Sequence, residues 1–262
     1  MHQTGPQRYD RIGAGYALRR RPDPRLTAAI WARLGEPDGL LNVGAGAGSY
    51  EPRDRAVVAV EPALSMVRQR PAGAAPVVRA RAEALPFGDG AFGTALAVLT
   101  IHHWSDWRAG LREMARVSRR RVVLFTWDPE GESSWLGDYF SQVIEDDRRR
   151  FPSVGAIAEV LGEIEVVPVL IPHDCTDGFM GAYWRRPAAY LDPSVRGAIS
   201  SLAPGAADGC LAKLAEDLGS GAWVQEHGRV LERDEIDLGY RLIAASVPSK
   251  PLTACGSRIR SG

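Results

Sequence analysis

Three glycines spaced two apart, Gly44, Gly46 and Gly48, follow a short apolar run, and Glu61 stands 17 residues after the first, at the end of the next such run. Glycines in that position let the backbone turn sharply and approach a ligand closely. A carboxylate at the tip of the neighbouring strand can accept hydrogen bonds from both hydroxyls of a ribose. Glu61 could equally cap a helix that begins at Pro62 and complement its dipole. His102 and His103 follow a later apolar run, and Asp128 follows another. Both residue types can take a proton from a reacting group. Trp127 is able to stack on a flat ligand or simply to fill the core. His173 and Asp174 close a further strand. Phe179, Met180, Tyr183 and Trp184 precede Arg185 and Arg186. That aromatic cluster could clasp a planar or anionic small molecule, or pack a helix onto the core. Cys175, Cys210 and Cys255 are widely spaced without a CxxC pair, so neither a zinc site nor a disulfide frame is expected, and the pattern suits a reducing compartment.

The elements that must hold these residues alternate in type. Asp23-Pro24 reads as a helix N-cap and first turn, opening an amphipathic helix with Leu26, Ile30, Trp31 and Leu34 at helical spacing. Gly39 to Val43 is then a strand running into the glycine loop, with a helix expected after the loop. Ala56 to Val60 is a second strand, followed by a helix from Pro62 to about Gln69. Val77 to Ala80 is a weak third strand, Phe92 to Ile101 a long fourth, Asp106 to Ser118 a helix and Arg121 to Trp127 a fifth strand. Apolar strands separated by helices imply a parallel sheet covered on both faces. Beyond it, 135–150 and 154–161 read as helices, Ile164 to Ile171 as a strand and Ile236 to Ala245 as the last strand. The long stretch between those two strands needs structure of its own, with helices expected over 191–202 and 211–218.

Composition narrows the function. The chain has 262 residues, about 1.7 typical domains of roughly 150 residues, and is 45% hydrophobic and 24% charged. Its 32 basic and 32 acidic side chains cancel, which argues against gripping nucleic acid. Of the basic residues only Lys213 and Lys250 are lysine, a skew that suits codon usage better than selection for anion-binding forks. The first ten residues carry no apolar signal core, and no apolar run approaches the roughly 20 residues of a membrane span. A cytoplasmic protein is expected; nothing in the sequence assigns an oligomeric state. The loop lacks the third glycine of a dinucleotide fingerprint, since position 49 is Ser49, and no Lys-Ser/Thr pair follows it.

With those blocks in order, the stretch from Tyr9 to Pro129 resembles the class I S-adenosylmethionine-dependent methyltransferases, particularly the small-molecule branch of ubiquinone and menaquinone type. Leu41 to Gly48 resembles the family's first motif and Val57 to Pro62 its second. Ala82 to Phe87 with Asp89 and Phe92 resembles its third, and Leu99 to Trp104 with Asp106 its fourth. The resemblance implies that Gly44, Gly46 and Gly48 approach the methionine part of the cofactor and that Glu61 and Pro62 meet the ribose. It puts Ala82 and Glu83 beside the adenine, with Leu64, Met66 or both against its face, and Leu99 in the same site. Tyr9, Tyr16 and Arg20 resemble a covering segment, one of which could hold the cofactor carboxylate. Asn42 stands where the family usually carries an acid that receives the cofactor's ammonium. Arg81 stands where an Asp usually meets the adenine amino group. The expectation is an α/β chain, a Rossmann-like three-layer sandwich with a mostly parallel seven-stranded sheet and a helical cap insertion. It divides into a covering segment (1–23), a core (24–175), the insertion (176–235) and a last strand with tail (236–262). The implied activity is methyl transfer from S-adenosylmethionine to a small-molecule acceptor, without metal, nucleic acid or membrane. His102, His103 and Asp128 are the base candidates, and Trp127, His173, Tyr183 and Trp184 the acceptor-binding ones. An NAD(P)-dependent oxidoreductase and a non-catalytic cofactor-binding module are the rival readings.

Overall fold

Side chains alternate across each central strand, and in this protein the alternation feeds two separate cores. The structure, a computed structural model, describes residues 19–36, 38–131, 134–202 and 208–247. Its strands are β1 (Leu40–Val43), β2 (Val57–Val60), β3 (Val77–Val78), β4 (Phe92–Val98), β5 (Ser118–Trp127), β6 (Ile164–Pro172) and β7 (Glu235–Ser246). They form one seven-stranded sheet in the order β3-β2-β1-β4-β5-β7-β6. The pairs from β3 to β5 are parallel, and β7 runs antiparallel to both β5 and β6.

Leu41, Val43, Ala95, Ala97, Val122 and Leu124 face one core, closed by Leu111, Met114 and Val117 of one helix (Trp107–Val117) and Ile157 of another (Val154–Leu161). Leu40, Leu96, Val123, Phe125 and Trp127 face the other. That second core is covered by α1 (Pro24–Trp31), by helices Leu136–Tyr139 and Ser141–Arg150, and by the chain between β6 and β7. The fold is thus a three-layer α/β sandwich of Rossmann type. Asp23 caps α1, accepting from Arg25 N, and Pro24 takes the first turn.

Several elements depart from expectation for local reasons. No helix follows the glycine loop: residues 46–50 are turns, Tyr50 lies at φ 64°, and Pro52 disfavours helical backbone at Glu51. The helix expected from Pro62 to Gln69 is confined to Leu64–Val67, and β3 is shorter than Val77 to Ala80. The single helix expected over 135–150 breaks at Phe140 (φ −108°, ψ 33°), whose side chain is buried. The helix expected over 191–202 is broken into the end of a 3₁₀ turn (Pro187–Leu191), one α-helical turn (Pro193–Arg196) and a second 3₁₀ turn (Ser200–Leu202), because Pro193 restarts the chain. The helix expected over 211–218 runs Asp208–Ser220, followed by Ala222–His227. Among the described residues no helix is long and apolar enough to cross a membrane.

Candidate active site

The carboxyl ends of the parallel strands bring the glycine loop, Glu61 and the loop after β4 around one cleft. Its empty volume is about 1180 Å³, open mouth included, and Arg20, Asn42, Gly44, Gly46, Glu61 and Met66 are among its walls. Pro62, Ala82, Glu83, Leu99 and His103, also expected from the sequence, line it too. Gly44, Gly46 and Gly48 all have positive φ, and a Cβ on Gly44 would lie 2.2 Å from Thr100 Oγ1. A Cβ on Gly46 would meet nothing within 4 Å, so that glycine leaves open space at the wall. Gly48 does not line the cleft; its N–H closes the turn onto Ala45 O.

Glu61 is 6% exposed. Its Oε2 accepts from Gly46 N (2.9 Å) and its Oε1 from Ala63 N (2.8 Å), tying the loop to the start of the Leu64–Val67 helix. Burial pushes its carboxyl upward against the pull of those donors. The carboxylate retains acceptor capacity, since each oxygen offers two lone-pair directions. Glu61 does not cap that helix, which begins at Leu64 without a side-chain cap; it ties the loop to Ala63 and borders the cleft. Met66 faces the cleft, whereas Leu64 is turned outward. Glu83 Oε1 takes Ser105 N, Ser105 Oγ and Asp106 N, so it organises the loop leading to the Trp107–Val117 helix. Leu99 sits at φ 48°, anchored by its N–H to Phe125 O (2.7 Å).

Two buried charge clusters support the cleft. Asp177, 1% exposed, accepts from Arg20 Nε (2.7 Å) and Nη2 (3.3 Å) and from the Tyr50 hydroxyl (2.7 Å). Burial, then the Asp177 carboxylate, push the Tyr50 phenol well up, so it stays a donor. Trp31 Nε1 donates to Tyr50 O and helps hold that residue in its left-handed conformation. In the second cluster Arg70 Nη2 meets both Glu51 oxygens at 2.8 Å, and Asn42 Nδ2 donates to Glu51 Oε1 (3.2 Å). An acid at position 42 would stand against Glu51. The asparagine thus has a local electrostatic reason.

A second cavity, of about 740 Å³ with its mouth, adjoins the first at Arg20, Leu99 and His103, which line both. His102 belongs to the second alone, its ring stacked on Phe151 (3.8 Å, 17°) and tilted on His103 (3.7 Å). Trp127 lines it too, its Nε1 donating to Leu238 O. Phe179, Tyr240 and Asp147 add further walls. Neither Asp177 nor Asp147 nor Tyr240 stood out in the sequence.

Besides Gly48, four expected site residues lie outside both cavities. Asp128 is held in the turn after β5, accepting from Glu130 N. His173 joins β6 to the residue before β7 through Asp234 O. Trp184 is fully buried and donates to Ile171 O, while the buried Tyr183 ring carries the Arg186 guanidinium at 4.8 Å. Their place in the chain was suggestive, but packing turns them into the core or across strand ends. Tyr9 and Tyr16 lie outside the described residues, as does Cys255.

The profile of a family described as a methyltransferase domain matches residues 41–126. No curated protein sequence matches the chain. Among solved structures, a protein of Anabaena variabilis ATCC 29413, assigned as a methyltransferase of an antibiotic biosynthesis pathway, is 34% identical, with a TM-score of 0.80. That likeness covers 86% of this chain and 98% of the other. A SAM-dependent methyltransferase of Thermotoga maritima shares the fold at 17% identity (TM-score 0.54, 92% and 95% covered). Haemonchus contortus phosphoethanolamine N-methyltransferase 2 does so at 16% (TM-score 0.54, 92% and 56% covered). A relative this similar over nearly its whole length, a matching domain and a glycine loop facing an acid-tipped β2 converge on one assignment: the chain belongs to the class I S-adenosylmethionine-dependent methyltransferases.

Proposed function

We propose that the two adjoining cavities are the cofactor and acceptor halves of one active site, which methylates a small molecule. The observation that carries this reading is the shared wall: Arg20, Leu99 and His103 border both spaces. Displacement at a methyl group requires nucleophile, carbon and leaving sulfur in line, and a junction between two cavities supplies that line.

The first cavity suits S-adenosylmethionine in its donor set. Glu61 would accept from the ribose hydroxyls, with Pro62 beside it. Met66 and Ala82 would pack on the adenine, and Glu83 would stand at its edge. The backbone of Gly44 to Ala47 would approach the methionine part. Asn42, with its amide nitrogen committed to Glu51, would turn its carbonyl oxygen to the ammonium. Arg20, whose Nε edge is fixed by Asp177, would meet the carboxylate. When bound, the cofactor supplies an electrophilic methyl group. His103 would take the acceptor's proton, and His102, wedged between His103 and Phe151, would position it.

The test pairs binding with turnover. Protein incubated with methyl-tritiated S-adenosylmethionine and a metabolite extract should label an organic-soluble product. His103→Gln should cut that rate by about 10²- to 10⁴-fold, with S-adenosylhomocysteine affinity held within threefold. Label confined to macromolecules, or a His103→Gln variant of full activity, contradicts the proposal.

A further inference from the structure

The second cavity also carries information about the acceptor's shape and charge. Phe151, Trp127 and Phe179 present ring surfaces, with Ile144, Ile199 and Leu238 filling between them. Trp127 meets Phe151 edge to face at 5.4 Å, so the rings form a corner rather than a channel. Flat apolar molecules gain most from such walls.

One carboxylate enters this apolar lining. Asp147 is 7% exposed and paired with Arg150, which does not line the cavity. Asp147 and Phe151 are one helical turn apart, joined by Phe151 N–H to Asp147 O (2.9 Å). Phe151 in turn stacks on His102. Asp147 therefore stands about one turn, roughly 5 Å along the axis, from Phe151, whose link to His103 runs through the stacked His102. The guanidinium at the boundary, Arg20, is engaged by Asp177. An anionic acceptor would leave water to face the Asp147 carboxylate, the one acid among the described lining residues, while Arg20 is shared between Asp177 and, in the proposed site, the cofactor carboxylate.

Resting on the assignment of this cavity to the acceptor, we infer that the acceptor is a flat, mainly apolar ring compound, neutral or cationic. It carries a hydroxyl or ammonium donor toward Asp147 while a second heteroatom is methylated beside His103. Carboxylated and phosphorylated acceptors are excluded. Asp147 is the residue that sets this preference.

A charge series on one scaffold tests it. Protein saturated with S-adenosylhomocysteine is titrated with 2-naphthol, 2-naphthylmethylamine and 2-naphthoate, and tryptophan fluorescence reports binding. The naphthol and the amine should bind at least tenfold tighter than the carboxylate. Asp147→Asn should abolish the amine's advantage over the naphthol and tighten 2-naphthoate about tenfold, with cofactor-product affinity and circular dichroism unchanged. Equal or tighter binding of 2-naphthoate overturns the inference, as does a folded Asp147→Asn variant with the wild-type order, or failure of all three to bind. The wild-type series decides the matter even if the variant does not fold. Failure of S-adenosylhomocysteine itself to bind would instead strike the proposed function.

Discussion

Replacing Asp177 by Asn changes one oxygen to an amide in a site with almost no access to water. The Oδ1 side accepts from Arg20 Nε and Gly178 N, and the Oδ2 side from Arg20 Nη2 and Tyr50 Oη. Whichever way the amide turns, its NH₂ opposes donors, and Arg20 loses its counter-charge. Removing one partner of a buried pair costs about 3–5 kcal/mol. For a chain of this size that corresponds to a melting temperature lower by about 6–20 °C. Tyr50→Phe alone removes one charge-assisted hydrogen bond, about 1.5–3 kcal/mol. Because Tyr50 and Asp177 share that bond, the double variant should cost less than the two single costs added, by about 0.5–3 kcal/mol. Urea unfolding and thermal melts at neutral pH measure all three. Asp177 also joins the stretch before α1, the glycine loop and the chain after β6, so Asp177→Asn should weaken S-adenosylhomocysteine binding as well. A shift below 2 °C, or strictly additive costs, would refute the reasoning.

Gly44→Ala places a Cβ against Thr100 at a backbone angle L residues rarely adopt. It should cost about 1–2 kcal/mol in strain plus about 1–3 kcal/mol in overpacking, with Thr100→Ala restoring only the packing part; melts that match wild type would disprove this. Acid sensitivity should trace partly to Asp23, whose side chain is fully buried. Burial alone would push that carboxyl up, but the Arg25 guanidinium and the Thr176 N–H outweigh it and hold it at about 2. A depressed folded value contributes stability above the unfolded value of about 3.9, lost as pH falls toward 2, worth roughly 2–3 kcal/mol. Asp23→Asn should flatten that part of the pH–stability curve, and an unchanged slope between pH 4 and pH 2 would count against it.

What could be read from the sequence was whatever short spacing encodes. Leu40 to Val43 with Gly44 and Gly46, and Val57 to Val60 ending at Glu61, are contiguous patterns, and the sheet keeps them adjacent through the β1–β2 register. The helix expected after the glycine loop fails because Tyr50 is held left-handed by partners elsewhere in the chain, Trp31 and Asp177. Asp177 itself was invisible, since Arg20 lies 157 residues away in sequence. Local order also could not separate His103, which borders both cavities, from its neighbour; a 3₁₀ turn over Ile101–His103 decides which ring faces where. Asp128, His173, Tyr183 and Trp184 follow strands or cluster by type, yet side-chain direction at a strand end is set by packing that spacing does not record.

Titration calorimetry of S-adenosylhomocysteine against wild type and Glu61→Ala bears most directly on the cofactor cleft. The wild-type protein should bind one equivalent, and the variant should bind about 5- to 150-fold more weakly, the about 1–3 kcal/mol of the ribose hydrogen bonds. Equal affinity in the two proteins, or NAD bound in preference to S-adenosylhomocysteine, would contradict it.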